Sequence, residues 1–388
     1  MRDIVIYIGG MEFPDKNAAA QRVIANSKIL KEHGYKVILA GLNKSDKNSG
    51  ELKPVYSSQL DNFEIFSKSY PSGLLDWFKY STQIDWVKKL IGKYDPNRIY
   101  AIIAYNYPSI ALLKLQKYAL KNNIKIVSDC TEWYGTNNLV KIIDSNLRMR
   151  FVQKKVKNVI CISDYLQNYY KNSITVNIPS LIDKQDKKWL QTKEYYPSTE
   201  RIFSYVGSPG ISKEKDRLDM IIDSFLILKN KGYAFLFNIA GISEESFLEM
   251  FPTYKQKLNI LREHVIFLGR IPHGNAIEIV KQSDYTIFAR LENRVTMAGF
   301  PTKLAESFSC GTPVITTPTS NVSRFIEFRK NGFIAKSCSV DALVKVMEEA
   351  INVDDNILKD MHSHCRNHNP LDYRIFKSDF KAFMENIE

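Results

Sequence analysis

Short apolar runs, rich in β-branched residues and separated by helical patterns, constrain this chain more than any other feature. In the first half they are IVIYIG (4–9), KVILAG (36–41), IYAIIAY (99–105), IKIVSD (124–129) and NVICIS (158–163). The second half repeats the series with RIFSYVG (201–207), AFLFNIAG (234–241), VIFLG (265–269), YTIFA (285–289) and PVITT (313–317). Runs of this kind, apolar on both faces, belong in parallel sheets covered by helices. The stretches AAAQRVIANSKILKEHG (18–34) and DMIIDSFLILKNKG (219–232) carry helical periodicity and each ends on a glycine. The alternation predicts an α/β protein of two doubly wound, Rossmann-like domains facing a central cleft. The expected domains are 1–185 and 186–371, with the seam near Asp183 to Ser198, where charges, Tyr195-Tyr196 and Pro197 break the apolar rhythm. In open parallel sheets ligands sit beyond the carboxyl ends of the strands, so chemistry is sought in the loops there.

At 388 residues the chain exceeds what one core usually organises. Its 44% apolar and 25% charged content excludes a disordered chain. The apolar run Ile4 to Ile8 is too short for a secretory signal, and no stretch approaches the roughly 20 apolar residues that span a bilayer. The expected location is therefore the cytoplasm. The five cysteines are scattered without a CxxC, which suits reduced structural thiols. His362, His364 and His368 read as solvated surface, and Asp354-Asp355 as a surface pair, so no metal site is expected. The net charge of +12 suits nucleic acid, an anionic membrane surface or a phosphorylated small molecule. Nucleic acid has only that charge in its favour and is not expected.

Three loops carry specific signals. Gly9-Gly10 follows the first strand, where glycines admit a ligand close to the backbone or simply make a turn. The pattern is not GxGxxG, and no acid on the second strand end reads a dinucleotide ribose, which disfavours a Rossmann oxidoreductase. In YVGSPGISKEKDRLDMIIDSF (205–225), Lys213, Lys215 and Arg217 stand between strand and helix, either as a diphosphate clamp or as a solvated basic loop. In AGFPTKLAESFSCGTPVITT (298–317), a short helix opens near Thr302 with Lys303 and Glu306 on its first turn. Either Lys303 and the helix end meet phosphate while Glu306 meets ribose hydroxyls, or the two pair at the surface.

FPTKLAESFSCGTPVITT resembles the nucleotide-binding segment of GT-B glycosyltransferases of the family-4 type, here of the surface-polysaccharide kind. YVGSPGISKEKDRLDMIIDSF resembles that family's glycine-then-lysine loop, NIPSLID (177–183) its interdomain segment, and CISDYLQNYY (161–170) the element before it. The terminal DYRIFKSDFKAFMENIE (372–388) is similar to the helix that returns to the first domain in such chains. The resemblance implies a GT-B fold and a nucleotide-sugar co-substrate, UDP-sugar favoured, with no other cofactor. It implies Glu306 on ribose, Lys215 on the diphosphate and in catalysis, and Gly207 beside them. Gly299 and Phe300 would lie against donor sugar and phosphate through their backbones, with Arg270 and Ile271 bordering the base and Gly9 and Gly10 completing the donor set. The chain departs from the pattern in three places. Ala298 stands where the first glutamate of E-x7-E would fall, Ser208-Pro209 replaces an arginine, and Pro301 removes a backbone donor. Lys303, Arg290 and Arg294 are the cations expected to compensate.

On the acceptor side, YNYPSI (105–110) and SDCTEWYGTNN (128–138) follow strand ends. Asn106, Asp129, Glu132, Trp133 and Tyr134 could line a sugar pocket, with Asp129 or Glu132 as a protein base. Alternatively Asp129 caps a helix, Trp133 fills core, and the departing phosphate oxygen takes the acceptor's proton. Two basic, aromatic segments, 73–94 and 147–159, suit a membrane interface or ordinary packing on the sheet. The expected function is a metal-independent, hexosyltransferase-type glycosyltransferase that retains stereochemistry. It would act on a glycan or lipid-linked glycan in capsule-like polysaccharide biosynthesis, peripherally at the inner membrane face. The alternative is a catalytically silent GT-B subunit that binds a glycan or a partner enzyme.

Overall fold

A computed structural model describes all residues except 1, 15–16, 46–50, 58–59, 61, 136–137, 191–199 and 211–214. The chain divides into two compact units, residues 1–182 with 373–388, and residues 183–372. In the first unit the strands are β1 (Ile4–Gly9), β2 (Lys36–Asn43), β3 (Leu52–Pro54), β4 (Glu64–Ser69), β5 (Ile99–Tyr105), β6 (Lys125–Cys130), β7 (Asn158–Cys161) and β8 (Ile174–Asn177). They form one sheet in the order β3-β4-β2-β1-β5-β6-β7-β8, parallel except where β3 meets β4. The second unit holds β9 (Arg201–Val206), β10 (Phe235–Ala240), β11 (Val265–Gly269), β12 (Tyr285–Phe288), β13 (Val314–Thr316) and β14 (Gly332–Ile334). Its order is β11-β10-β9-β12-β13-β14, all parallel.

Both units are doubly wound, and each has a switch point where the strand order reverses direction. In the first unit it lies between β1 and β5, in the second between β9 and β12. β1 is buried along its whole length, as a central parallel strand must be. The helix Ala18–Glu32 that returns from it is capped by Asn17, whose side chain accepts from the Ala20 N–H. Gly34, at φ +87°, ends that connection. The terminal helix Lys377–Asn386 belongs to the first unit. The Tyr100 hydroxyl donates to the Met384 carbonyl at 2.5 Å, and the Lys125 ammonium to that of Ile387 at 2.7 Å.

Several expectations need correction. His362 is core, with a ring nitrogen 3.1 Å from the Asp284 carbonyl oxygen, and burial pulls its pKa down to about 3. Segment 73–94 breaks in two. In its second helix, Asp85–Ile91, Trp86 is buried and its indole N–H donates to the Tyr107 hydroxyl at 3.1 Å. Segment 147–159 packs mostly as the alternative reading had it, with Arg148, Met149, Val152 and Val156 buried. Four of the five cysteines are buried and all five are unpaired.

Candidate functional site

The switch point of the second unit collects charge. Asp216 is buried just after the Gly207 loop, and each of its carboxylate oxygens takes a cation. Arg290 Nε donates to Oδ1 at 2.6 Å, and Lys303 Nζ to Oδ2 at 2.5 Å. The Tyr205 hydroxyl adds a third donor to Oδ2 at 2.8 Å. These residues come from the end of β9, the loop after it, the end of β12 and the first turn of the helix Thr302–Cys310. The three charged groups sum to a net positive cluster held out of bulk solvent.

Each part is fixed by local structure. Arg290 is clamped at its backbone, where its N–H donates to Thr317 Oγ1 at 2.8 Å and its carbonyl accepts from the same hydroxyl at 2.8 Å. The Arg217 N–H donates to the Ala289 carbonyl at 2.8 Å, which ties the loop after β9 to the end of β12. Lys303 crosses Gly207 on its way to Asp216. Glycine at 207 is favoured by its φ of +130°, and a Cβ there would lie 2.9 Å from Lys303 Cε and push the end of that side chain aside. Gly241 follows β10 at φ +110°, and its missing Cβ would fall 2.4 Å from the Gly207 carbonyl oxygen. With Gly269, the ends of β9, β10 and β11 thus form a low backbone crest beside the cluster.

The electrostatics follow from burial and pairing. Burial alone would raise the Asp216 carboxyl, but Arg290 and Lys303, with their hydrogen bonds and that of Tyr205, hold it well below the usual carboxylate range. Burial lowers the Lys303 ammonium, against the pull of Asp216 and in concert with the repulsion of Arg290 and Lys215. A buried cluster with surplus positive charge favours an anion.

The remaining donor-side residues lie around this cluster to different degrees. Lys215 is exposed on the same loop, while Lys213 lies outside the described residues. Glu306 is half-buried one turn beyond Lys303. Lys303 is committed to Asp216, so the surface pairing of Lys303 with Glu306 is not what forms. Phe300 is core, edge-on to Phe325 at 5.6 Å, leaving only its backbone for a ligand. Gly299 is half-buried at the end of the helix Arg294–Ala298. Ala298 is fully buried, so the position where a glutamate would fall faces protein. Arg294 and Arg270 are exposed, and Arg270 and Ile271 follow β11, two strands and about 10 Å from β9.

In the first unit the structure overturns one expected role outright. Asp129 is wholly buried and both oxygens are taken by Arg22, with Nε at 3.1 and 3.0 Å and a terminal nitrogen at 2.8 Å. The Tyr7 hydroxyl donates to it as well. Arg22 goes on to donate to the Ile178 and Pro179 carbonyls at 2.7 and 2.8 Å. Asp129 is thus an anchor within the fold, sealed from any acceptor hydroxyl, and no base. Asn106 is spent on Thr131, which it meets at 3.1 and 2.5 Å. Trp133 is buried edge-on to Tyr169 at 4.9 Å and offers no free face to a sugar. Glu132 stays half-buried, and Tyr134 is exposed with the Arg148 guanidinium 5.3 Å from its ring centroid. Gly9 passes beneath Tyr105, whose carbonyl oxygen would meet a Cβ at 2.8 Å, so that glycine serves packing; Gly10 is exposed. Among the described residues no group of three or more His, Cys, Asp or Glu could hold a metal ion.

Residues 188–368, nearly all of the second unit, match the family described as Glycosyl transferases group 1. The second unit is a glycosyl transferases group 1 domain. No curated protein is matched. The whole chain is similar in fold to solved structures. One is sucrose-phosphate synthase from Thermosynechococcus elongatus, at 15% identity and TM-score 0.69, covering 99% of this chain and 98% of that one. A second is an E. coli trehalose-6-phosphate protein bound with UDP-2-fluoro glucose, at 10% identity and TM-score 0.70, with 100% of both chains covered. A third is Anabaena HepE in complex with UDP, at 12% identity and TM-score 0.65, covering 99% and 100%. The chain thus has the GT-B fold of these structures, and its second unit carries the glycosyl transferases group 1 match.

Sequence reasoning missed Asp216, Tyr205 and Thr317 in this domain, and Arg22 and Tyr7 in the other. For Asp216 a signal existed: it sits among Lys213, Lys215 and Arg217 at the exit of a strand, where a carboxylate needs a reason.

Proposed function

We propose that this glycosyltransferase moves a sugar from a nucleoside-diphosphate donor, UDP-sugar favoured, to a glycan or lipid-linked glycan in cell-surface polysaccharide assembly. The observation that carries the reading is the positive cluster of Lys303 and Arg290 on Asp216 at the switch point of the second unit. Solved structures of the same fold contain UDP or a UDP-sugar, which supports uridine as the base. Lys303, Arg290 and Lys215 would hold the diphosphate, Glu306 the ribose, and the backbones of Gly299 and Phe300 the sugar and phosphate. The base would lie by Arg270 and Ile271, with Gly207 leaving room for the diphosphate.

In the proposed retaining step the bond from sugar C1 to the diphosphate oxygen breaks, and a bond from C1 to the acceptor oxygen forms on the same face. The acceptor's proton passes to the departing phosphate oxygen, a route favoured because Asp129 is sealed by Arg22 and Tyr7. Lys303 and Arg290 stabilise the negative charge that gathers on the leaving diphosphate, a preorganised role. Glu132 and Tyr134 remain to orient acceptor hydroxyls. No described helix is long and apolar enough to cross a membrane, and the proposed setting is the cytoplasm, peripherally at the inner membrane face. The test is a thermal-shift series over UDP, GDP, ADP and their sugars, followed by UDP release with oligosaccharide acceptors. Stabilisation by none of the nucleotides would defeat the reading.

A second reading, a catalytically silent GT-B subunit that binds a glycan or a partner enzyme, is favoured by the buried Ala298 and the sealed Asp129. Donor binding with no UDP release, to acceptor or to water, would establish it instead.

A further inference from the structure

The helix Leu139–Leu147 is built inside out. Its one buried residue is Ser145, and two of its polar side chains, Asp144 and Asn146, are engaged by neighbouring groups. Asp144 accepts from the Ser109 backbone N–H at 2.8 Å and hydroxyl at 2.7 Å. Asn146 accepts from the Trp133 indole N–H at 3.3 Å. Outward go Leu139, Val140 and Ile143, 73%, 76% and 66% exposed, with Leu147 following at 37%. Their spacing of one, four and eight residues from the first makes a single stripe. A helix on a globular surface ordinarily turns that stripe to the core.

The helix Gly73–Thr82 repeats the inversion. Tyr80 is its only buried residue, while Leu74, Leu75 and Phe78 are 90%, 76% and 64% exposed. The two helices pack on the same helix, Ser109–Lys121. Trp77 meets Tyr80 at 5.9 Å, Tyr80 meets Tyr107 at 5.9 Å, and Ser109, two residues on, is bound to Asp144. Ile110, on that shared helix, and Phe151 are exposed as well. Two outward apolar stripes on helices that share a packing partner point to an interaction site.

The charges on segment 139–157 are mostly positive, although Lys157 pairs with Glu388 at 3.3 Å. Residues 139–157 contain Lys141, Arg148, Arg150, Lys154, Lys155 and Lys157 against a single acid, Asp144, which Ser109 engages. All these cations but Arg148 are exposed. We propose that this face docks on an anionic lipid surface, the apolar stripe entering the acyl boundary while the cations meet headgroups. Exposed Trp77 and Phe78 suit the same interface. A second copy of the chain fits poorly, because a two-fold contact would set the same cations against each other. The inference deepens the lipid-linked acceptor reading and rests on it for its purpose, but vesicle binding and the nucleotide response are read separately.

The experiment sediments the full chain with vesicles of phosphatidylcholine alone and of phosphatidylcholine with phosphatidylglycerol, at low and high salt. Binding is expected only with the anionic vesicles and weaker in high salt. Ile143→Ser and Phe78→Ser, both at exposed positions, are expected to weaken it at least about tenfold, or about 1.4 kcal/mol. Both should leave the melting temperature and the UDP-induced shift unchanged. Absence of anionic-vesicle binding, or equal binding by both variants, overturns the proposal. So does a concentration-dependent dimer that Ile143→Ser abolishes. Vesicle binding with no nucleotide response leaves the docking face standing and removes the donor reading alone.

Discussion

Replacing Lys303 with Met tests the donor reading at its centre, because the side chain keeps its length and loses only its charge. In the native cluster Asp216 sits between two cations, at 2.6 Å from Arg290 and 2.5 Å from Lys303. Removing one cation leaves a neutral Arg290–Asp216 pair, so the site's surplus positive charge vanishes. A charge-assisted hydrogen bond to a phosphate contributes about 1.5–3 kcal/mol, which converts to roughly tenfold to a hundredfold in the dissociation constant of UDP. Stability should change far less than affinity, because Asp216 keeps Arg290 and the Tyr205 hydroxyl. Asp216→Asn should do the reverse. It leaves two buried cations without their carboxylate, which costs about 3–5 kcal/mol of stability in the second unit. It also raises the net charge facing a diphosphate, so the stabilisation gained from saturating UDP should grow relative to wild type. The assay is calorimetric titration of UDP beside thermal unfolding with and without it. UDP affinity within twofold of wild type in Lys303→Met would refute the assignment of this cluster to the donor diphosphate.

Three further outcomes are expected. Gly207→Ala would set a Cβ 2.9 Å from Lys303 Cε, displacing the ammonium, and should weaken UDP binding about tenfold by titration calorimetry while costing about 1–3 kcal/mol in denaturant unfolding. Arg22→Met leaves Asp129 buried without its cation and should destabilise the first unit by about 3–5 kcal/mol, whereas the double variant Arg22→Met with Asp129→Leu should recover much of that loss in a double-mutant cycle. His362 is held neutral in the fold, with a pKa of about 3, below its unfolded value of about 6.5. The unfolded chain therefore takes up the proton first, and stability should fall as pH drops from about 6.5 toward 3, by on the order of 4 kcal/mol. His362→Gln should flatten that part of the pH–stability curve, measured by urea unfolding.

The legible parts of this fold are those where a signal is local. IVIYIG and RIFSYVG read as central strands because both faces of a parallel strand are apolar, and they form β1 and β9. Four strands escaped that reading: β3, β4, β8 and β14. EIFSKS in β4 mixes polar and apolar residues, β3 and β8 are largely unburied strands at sheet edges, and β14 is an edge strand of three residues, too short to read. The outward-turned stripe escaped for a related reason. LVKIIDSNL is amphipathic with the period of any surface helix, and periodicity cannot tell which side is turned outward.

The site was legible in its cations and hidden in its carboxylate. Lys303 and Glu306 lie three residues apart, and spacing alone allowed them to pair. Lys303 instead crosses a glycine to reach Asp216, 87 residues away in sequence, a partnership set by strand order that no local pattern encodes. This changes the meaning of Ala298. By resemblance the position lacks a glutamate that would have faced the donor, yet the residue is sealed in protein and could not present a carboxylate without reshaping its surroundings. The carboxylate that the site does possess points inward, at the cations. On the proposed donor reading its effect on a diphosphate is indirect: it fixes where Lys303 and Arg290 stand and trims their combined charge to a single surplus. A glutamate that binds a sugar hydroxyl contributes attraction, whereas a buried aspartate that pins two cations contributes geometry. Affinity for the proposed donor should accordingly answer to the charge of Lys303 and the openness of Gly207, and restoring a glutamate at 298 should strain the fold before it helps the donor.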